Sequence, residues 1–372
     1  MTKLNKAFKF RLYPNKEQEE LLAKTFGCVR FVYNKMLAER KEIYEKFKDD
    51  KEKLKEQKFP TPAKYKDEFP FLKEVDSLAL ANAQIHLQNA YKNFFEGRAG
   101  FPKFKSKKHK QSYTTNMVNG NIKIEDGHIK LPKFKKPMKM KQHREIPVVH
   151  KIKSCTISKT KTGKYYISIL TEYEKDIRPV KIQKVVGLDF AMDGLYVDSE
   201  RGEKANYPRY YRQALDKLAK AQRILSRRKK GSTRWEKQRL KVAKLYEKTA
   251  NQRRNFLHHK SKELAANYDA VIIEDLDMKG MSQALNFGKS VHDNGWGMFT
   301  TFLEYKLKEQ GKQLVKIDKW FPSTKKCSRC GNEKEMPLSE RVYKCTCGIV
   351  LDRDHNSAIN IKNEGLRLLE LA

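Results

Sequence analysis

Near the carboxyl end of the chain, four cysteines stand in two short pairs, Cys327-Ser-Arg-Cys330-Gly331 and Cys345-Thr-Cys347-Gly348. No other feature limits the fold as tightly. Tetrahedral zinc takes four thiolates at about 2.3 Å, and each short pair forms a knuckle supplying two of them. The glycine behind each pair permits the tight turn in which backbone amides point at sulfur. The spacing predicts a structural zinc ribbon over 321–349, with four protein ligands and no open metal position. A redox Cys-x-x-Cys pair or an iron–sulfur cluster would use the same residue type, but no thioredoxin-like strand–helix–strand pattern surrounds these cysteines. Cys28 and Cys155 fall in helical and strand patterns and read as small buried hydrophobes.

The rest of the chain divides by periodicity. Ala7 to Pro14 alternates apolar with basic residues and predicts a strand stopped by proline. Asn15 then caps a helix whose apolar side carries Leu21, Leu22, Phe26, Val29, Phe31 and Val32. Helical pattern continues through Glu39–Lys58, and a third helix spans Ser77–Phe95, so 16–96 reads as a helical insertion. Beyond Gly97, short strands take over. Glu125-Asp126-Gly127 and Thr162-Gly163 mark two hairpins, and 1–15 with 97–178 predicts a small antiparallel barrel or sheet closed by the amino-terminal strand. From about Val180 strands alternate with helices, which implies an α/β layer. Val185–Asp189 and Tyr268–Glu274 are apolar strands, with Leu195–Val197 as a partner of the first across a Gly194 turn. Tyr207–Asn267 is a long helical hairpin turning at Gly231-Ser232, and Trp296–Glu309 is a further helix.

Lys and Arg total 80 against 45 Asp and Glu, a formal net charge of +35. So many like charges repel one another in a compact chain unless a polyanion lies among them. Nucleic acid is the obvious one, since each neutralised phosphate releases counterions. Charge alone leaves DNA or RNA, and enzyme or passive binder, undecided. The basic tip of the helical hairpin, Arg227-Arg228-Lys229, is the densest candidate contact, against the ordinary alternative of a solvated face. With 39% hydrophobic residues the chain is expected to be globular. No apolar run approaches the roughly 18 residues of a membrane span, and the amino terminus lacks a signal-peptide pattern. A cytoplasmic protein with no membrane partner is expected, its cysteines not paired as disulfides.

Carboxylates stand at or near the ends of two apolar strands, Asp189 and Glu274, and Asp352-Arg353-Asp354 opens the last helix. Three such groups from distant segments could converge on divalent metal. Unscreened, each pair of neighbouring carboxylates repels by about 4 kcal/mol at about 4 Å and an effective dielectric near 20. Two magnesium ions would remove that cost and assist phosphodiester hydrolysis. The ordinary alternative is that an Asp after a strand forms a turn or caps a helix. Asp193, Asp198, Asp275 and Asp277 are expected to be turn or surface acids.

The segments FKFRLYPN, GFPKFKSKK, LSRRKKGS, FLHHKSKELA, FPSTKKCSRCG and CGIVLDRDHNSAINI, in that order, resemble the TnpB family, transposon-encoded nucleases related to type V CRISPR effectors. The resemblance implies an α+β multidomain fold: an RNase H-like RuvC α/β nuclease over 179–320 and 350–372, interrupted by the zinc ribbon, plus an amino-terminal wedge-like β-barrel with its helical recognition insertion. It places the catalytic, magnesium-binding acids on Asp189, Glu274 and Asp354, leaving Asp352 as a cap. The zinc ligands fall on Cys327, Cys330, Cys345 and Cys347. One departure is that Asp189 is followed by Phe190-Ala191-Met192-Asp193 where the family often has Gly-Ile-Lys. The implied partners are a guide RNA from the transposon end and double-stranded target DNA, the protein being monomeric on RNA and nucleoid-associated on DNA. Ser77, Asn82, Tyr113, Thr115 and Asn116 match the surface that reads a short motif beside the target. The implied activity is RNA-guided DNA cleavage; a non-cutting RNA-guided repressor and a conventional transposase are the alternatives.

Overall fold

The computed structural model describes residues 1–284, 288, 293–337 and 339–370, so a few positions of the expected nuclease segments lie outside it. The chain folds as two units, Met1–Lys175 and Asp176–Ala372. Among the described residues no helix is long and apolar enough to cross a membrane.

In the first unit, β1 (Thr2–Tyr13) is followed by the long helix α1 (Lys16–Phe47), the short α2 (Lys51–Glu56) and α3 (Tyr65–Glu68), and α4 (Ser77–Phe95). Strands β2 (Gln111–Asn116), β3 (Lys123–Glu125), β4 (His128–Lys130), β5 (Met138–Lys141), β6 (Lys151–Lys159) and β7 (Tyr165–Lys175) complete it. Asn15 begins α1 with a reciprocal cap: its side chain accepts from Gln18 N at 2.9 Å, while its own amide donates to Gln18 Oε1 at 3.0 Å. The charged helical pattern after Glu39 breaks after Phe47, and Asp50 caps α2. The Asp126-Gly127 turn places both residues at positive φ, the backbone that a two-residue hairpin with a right-handed twist demands.

The seven strands run in the order β2-β6-β7-β1-β5-β4-β3. Sequence pattern suggested a barrel or sheet closed by the amino-terminal strand; within this antiparallel sheet β1 lies in the middle. It pairs with β7 along nearly its whole length and with β5 through Arg11–Tyr13. Among the described residues the end strands β2 and β3 do not pair with each other. Alternation on β1 turns Phe8, Phe10 and Leu12 into the core, where they meet Leu22, Phe26, Val29 and Val32 of α1 and Leu80, Ala83 and Leu87 of α4.

The second unit begins with β8 (Val185–Ala191) and β9 (Leu195–Asp198), then α5 (Tyr210–Ser226), α6 (Thr233–Asn267), β10 (Ala270–Glu274), α7 (Met278–Ala284), α8 (Trp296–Lys308), β11 (Gln313–Ile317), the hairpin β12 (Val342–Lys344) and β13 (Val350–Asp352), and α9 (Arg353–Glu370). The helical hairpin turns at Gly231, which has φ +86°, and Ser232 caps α6 by accepting from Trp235 N. The main sheet runs β11-β10-β8-β9, parallel except for β9. Its inner strands are apolar on both faces because helices cover both. Val186, Leu188, Val271 and Ile273 face Leu257 and Leu264 of α6 and Phe299 and Leu303 of α8. Val185, Ala270 and Ile272 face Ile361 of α9.

Candidate functional site

Side chains alternate along a strand, so Asp189 and Glu274 share the α9 face with Val185 and Ala270. The parallel register pairs Leu188 with Ile273, which sets Asp189 beside Glu274 one residue further on, across a strand spacing of about 4.8 Å. Helix α9 touches β8 where Gly187 has no side chain: a Cβ there would meet Ala358 O at 2.3 Å and Lys362 N at 2.6 Å. Two strand residues from Gly187 to Asp189, and four helical residues from Ala358 back to Asp354, each cover about 6–7 Å. The close approach therefore brings Asp354, in the first turn of α9, to the level of the strand carboxylates. Asp352 caps that helix, its Oδ1 accepting from Asp354 N at 2.9 Å and His355 N at 3.1 Å.

Asp189 feels the other two acids. Burial pushes the Asp189 carboxyl well above the ordinary carboxylate range, and the charges of Glu274 and Asp354 push it further, against the Ser357 hydroxyl and the Arg353 charge. Burial also raises Glu274, opposed by the Ser323 hydroxyl that donates to its Oε1 at 2.6 Å. Arg353 Nε and Nη2 hold Asp354 Oδ1 at 3.1 and 2.9 Å, and Arg341 Nη1 lies 3.7 Å from Oδ2. Two carboxyls raised by desolvation beside a third offer oxygen donors of the kind that a hard divalent cation such as magnesium takes.

The four cysteines are gathered more tightly. Their sulfurs all lie within 4.8 Å of one another, the one such cluster of metal-ligating groups among the described residues. Cys327 and Cys347 sulfurs are 3.7 Å apart and those of Cys330 and Cys345 3.5 Å. A tetrahedron with bonds of about 2.3 Å needs edges of about 3.8 Å, so the donor set fits zinc. The Cys347 amide pointing at the Cys345 sulfur leads the effects that bring that thiol down to about 6.

Residues that sequence reasoning did not single out tie the two sites together. Asn356, fully buried on α9, accepts from Ser328 N at 3.0 Å and donates to Lys326 O at 2.8 Å. One turn on, Asn360 donates to Ser323 O at 2.8 Å and Lys326 O at 2.6 Å. Asn is a poor helix former, so two of them four residues apart on one helix was the available signal for side chains recruited to hydrogen bonding.

Three of the five first-unit positions have buried side chains. Tyr113 is buried against Phe26, and Thr115 is buried with its hydroxyl donating to Asp76. Asn82 is buried and donates to Leu78 O of its own helix at 2.8 Å. All three spend their side chains on packing because alternation on β2 and the inner stripe of α4 face the core. Ser77 is exposed, bonded to Lys66 Nζ at 2.7 Å, and Asn116 is half-buried. At the tip of the α5–α6 hairpin, Arg227 and Lys229 are exposed, while Arg228 turns back to the Arg234 carbonyl.

The chain matches three family descriptions: "Probable transposase" over 168–285, "Helix-turn-helix domain" over 1–49, and "Cas12f1-like, TNB domain" over 296–361. Residues 1–49 form a strand and one helix here, not two helices. A mimivirus "TnpB-like protein L770" is 23% identical over 96% of this chain and 73% of its own length. A Streptomyces pristinaespiralis protein named "Putative RNA-guided DNA endonuclease" is 35% identical over 98% of this chain and 90% of its own. Its Escherichia coli K12 counterpart, InsQ, is 31% identical over 98% and 93%. The chain belongs to the TnpB family. The TnpB fold seen here aligns with a chain from a Cas12f1–sgRNA–target DNA complex at a TM-score of 0.62 and 12% identity, covering 97% of this chain and 99% of that one. The shared feature is an α+β Cas12-like fold.

Proposed function

We propose that this TnpB protein is an RNA-guided DNA endonuclease whose cutting centre is Asp189, Glu274 and Asp354 and whose ribbon holds structural zinc on Cys327, Cys330, Cys345 and Cys347. The observation that carries the reading is the juxtaposition of three acids from β8, β10 and α9, with Asp189 opposed in ionising by the other two. Magnesium bound there would supply activated water and stabilisation of the leaving oxygen in phosphodiester hydrolysis. The protein's own part is to hold the carboxylates on rigid elements, with Ser323 orienting Glu274 and Arg353 orienting Asp354. The basic hairpin tip at Arg227 and Lys229 suits backbone contacts to a guide–target duplex, while base pairing supplies sequence. A short target-adjacent motif is expected to be read by the first unit, for which Ser77 and Asn116 offer reachable side chains.

The test is single substitution. Asp189→Ala, Glu274→Ala and Asp354→Ala, each purified with RNA from the protein's genomic flank, are expected to bind that RNA as the wild type does and to lose cutting. Retained cutting by all three would remove the assignment. Strand-transfer products formed without RNA would point instead to a transposase.

A further inference from the structure

Trp320 is 81% exposed, although an indole is among the side chains that burial favours most. Its backbone is nevertheless fixed. The loop that carries it hangs from Glu274 at both ends. Before it, Ile317 is the register partner of Glu274 and its carbonyl accepts from Asp275 N at 3.1 Å. After it, Ser323 donates to Glu274 Oε1 at 2.6 Å and is itself held by Asn360 at 2.8 Å. Between them Asp318 makes a tight turn, accepting from Trp320 N through Oδ1 at 2.7 Å and from Phe321 N through its carbonyl at 3.1 Å. Pro322 stiffens the exit. Trp320 and Ser323 are three Cα–Cα steps apart, so the Trp320 backbone is tethered within about 11 Å of the residue that orients Glu274. Lys319 Nζ sits 5.0 Å from the ring centroid, and Lys316, Lys325 and Lys326 lie on the same segment.

An exposed aromatic ring on a rigid turn, flanked by lysines, is the arrangement that binds single-stranded nucleic acid by base stacking beside phosphate contacts. We infer that Trp320 stacks on an unpaired base of the DNA strand entering the Asp189–Glu274–Asp354 centre and thereby sets which phosphate reaches Glu274. The inference rests on the nuclease reading for the identity of that strand. The ring sits on a loop anchored to the Glu274 carboxylate, so stacking fixes the strand's register against the acids.

Tryptophan emission tests this without cleavage. The RNA-loaded protein carrying Asp189→Ala, which keeps the Glu274–Ser323 anchor of the loop, is titrated with single-stranded oligothymidylate, with and without Trp320→Phe; Trp235 and Trp296 are common to both, so the difference isolates Trp320. The difference signal is expected to quench and saturate. Trp320→Ala is expected to weaken oligothymidylate binding roughly five- to hundredfold, and Trp320→Phe to restore most of it. In the protein with all three acids intact, Trp320→Ala should slow guided cutting and blur the cut position, and Trp320→Phe should not. An unquenched difference signal, or Trp320→Ala binding DNA like the wild type, overturns the inference. So does quenching complete with guide RNA before DNA is added, which would assign the ring to the guide. A protein that quenches but never cuts would fail the nuclease reading while leaving the stacking contact standing.

Discussion

Asp189 and Glu274 lie side by side on adjacent parallel strands, one residue beyond the Leu188–Ile273 pair, and both face the helix that carries Asp354. Two carboxylates fixed there cannot both ionise cheaply, and burial raises both. A carboxyl whose folded pKa is raised binds more protons folded than unfolded, so metal-free stability falls as pH rises from the unfolded pKa through the folded one. Thermal melting of wild type and Asp189→Asn, without divalent metal, is expected to show the variant gaining on the wild type as pH rises from about 4 to 7. A difference independent of pH would contradict the raised Asp189.

Magnesium should reverse that order. At a hundredfold excess over its Kd a ligand specific to the folded state adds about 2.7 kcal/mol, which for a unit of this size raises Tm by several degrees. Wild type is expected to gain this and Asp189→Asn to lose most of it, measured by calorimetry with and without MgCl2.

Gly187 sets the height of α9 on the sheet. A methyl group there meets backbone, Ala358 O at 2.3 Å and Lys362 N at 2.6 Å, so no side chain can yield. Gly187→Ala is expected to cost about 1–3 kcal/mol or more in denaturant unfolding and to abolish cutting by lifting Asp354 away from Asp189.

Much of this architecture is legible in the chain because its signals are local. Asp76 and Ser77 begin α4 and Phe95 ends it as periodicity predicts, Asp126-Gly127 turns its hairpin, and Asp352 caps α9. The apolar runs ending at Asp189 and Glu274 are strands because helices cover both their faces. What was not legible depends on partners far along the chain. Nothing local tells that Ser323 orients Glu274, 49 residues away, or that Asn356 fastens to Ser328. The same holds for β1, whose alternation announces a strand but not that both its edges are occupied. Tyr113 and Thr115 show the converse: polar tips invite a binding role, yet strand alternation turns them inward.

Asn356 links α9 to the first cysteine knuckle through two hydrogen bonds in a fully buried place. Removing it leaves the partly buried Ser328 amide unpaired, at about 1–3 kcal/mol, while Lys326 O keeps its bond from Asn360. Asn356→Ala is expected to lower stability by that order and to release zinc at lower chelator concentration, followed by metal analysis after dialysis. Cys345→Ser should retain no zinc at all, and zinc content equal to wild type would contradict the four-thiolate site.

Guided cleavage tests the central claim most directly. Protein purified with RNA from its own genomic flank is incubated with magnesium and a plasmid library carrying the guide-matched target beside randomised sequence, with Glu274→Ala alongside. Breaks that require the matching guide, cluster beside one enriched motif and vanish in Glu274→Ala are the predicted result. Tight, guide-dependent target binding with no breaks in the wild type, or equal breaks in both proteins, would contradict it.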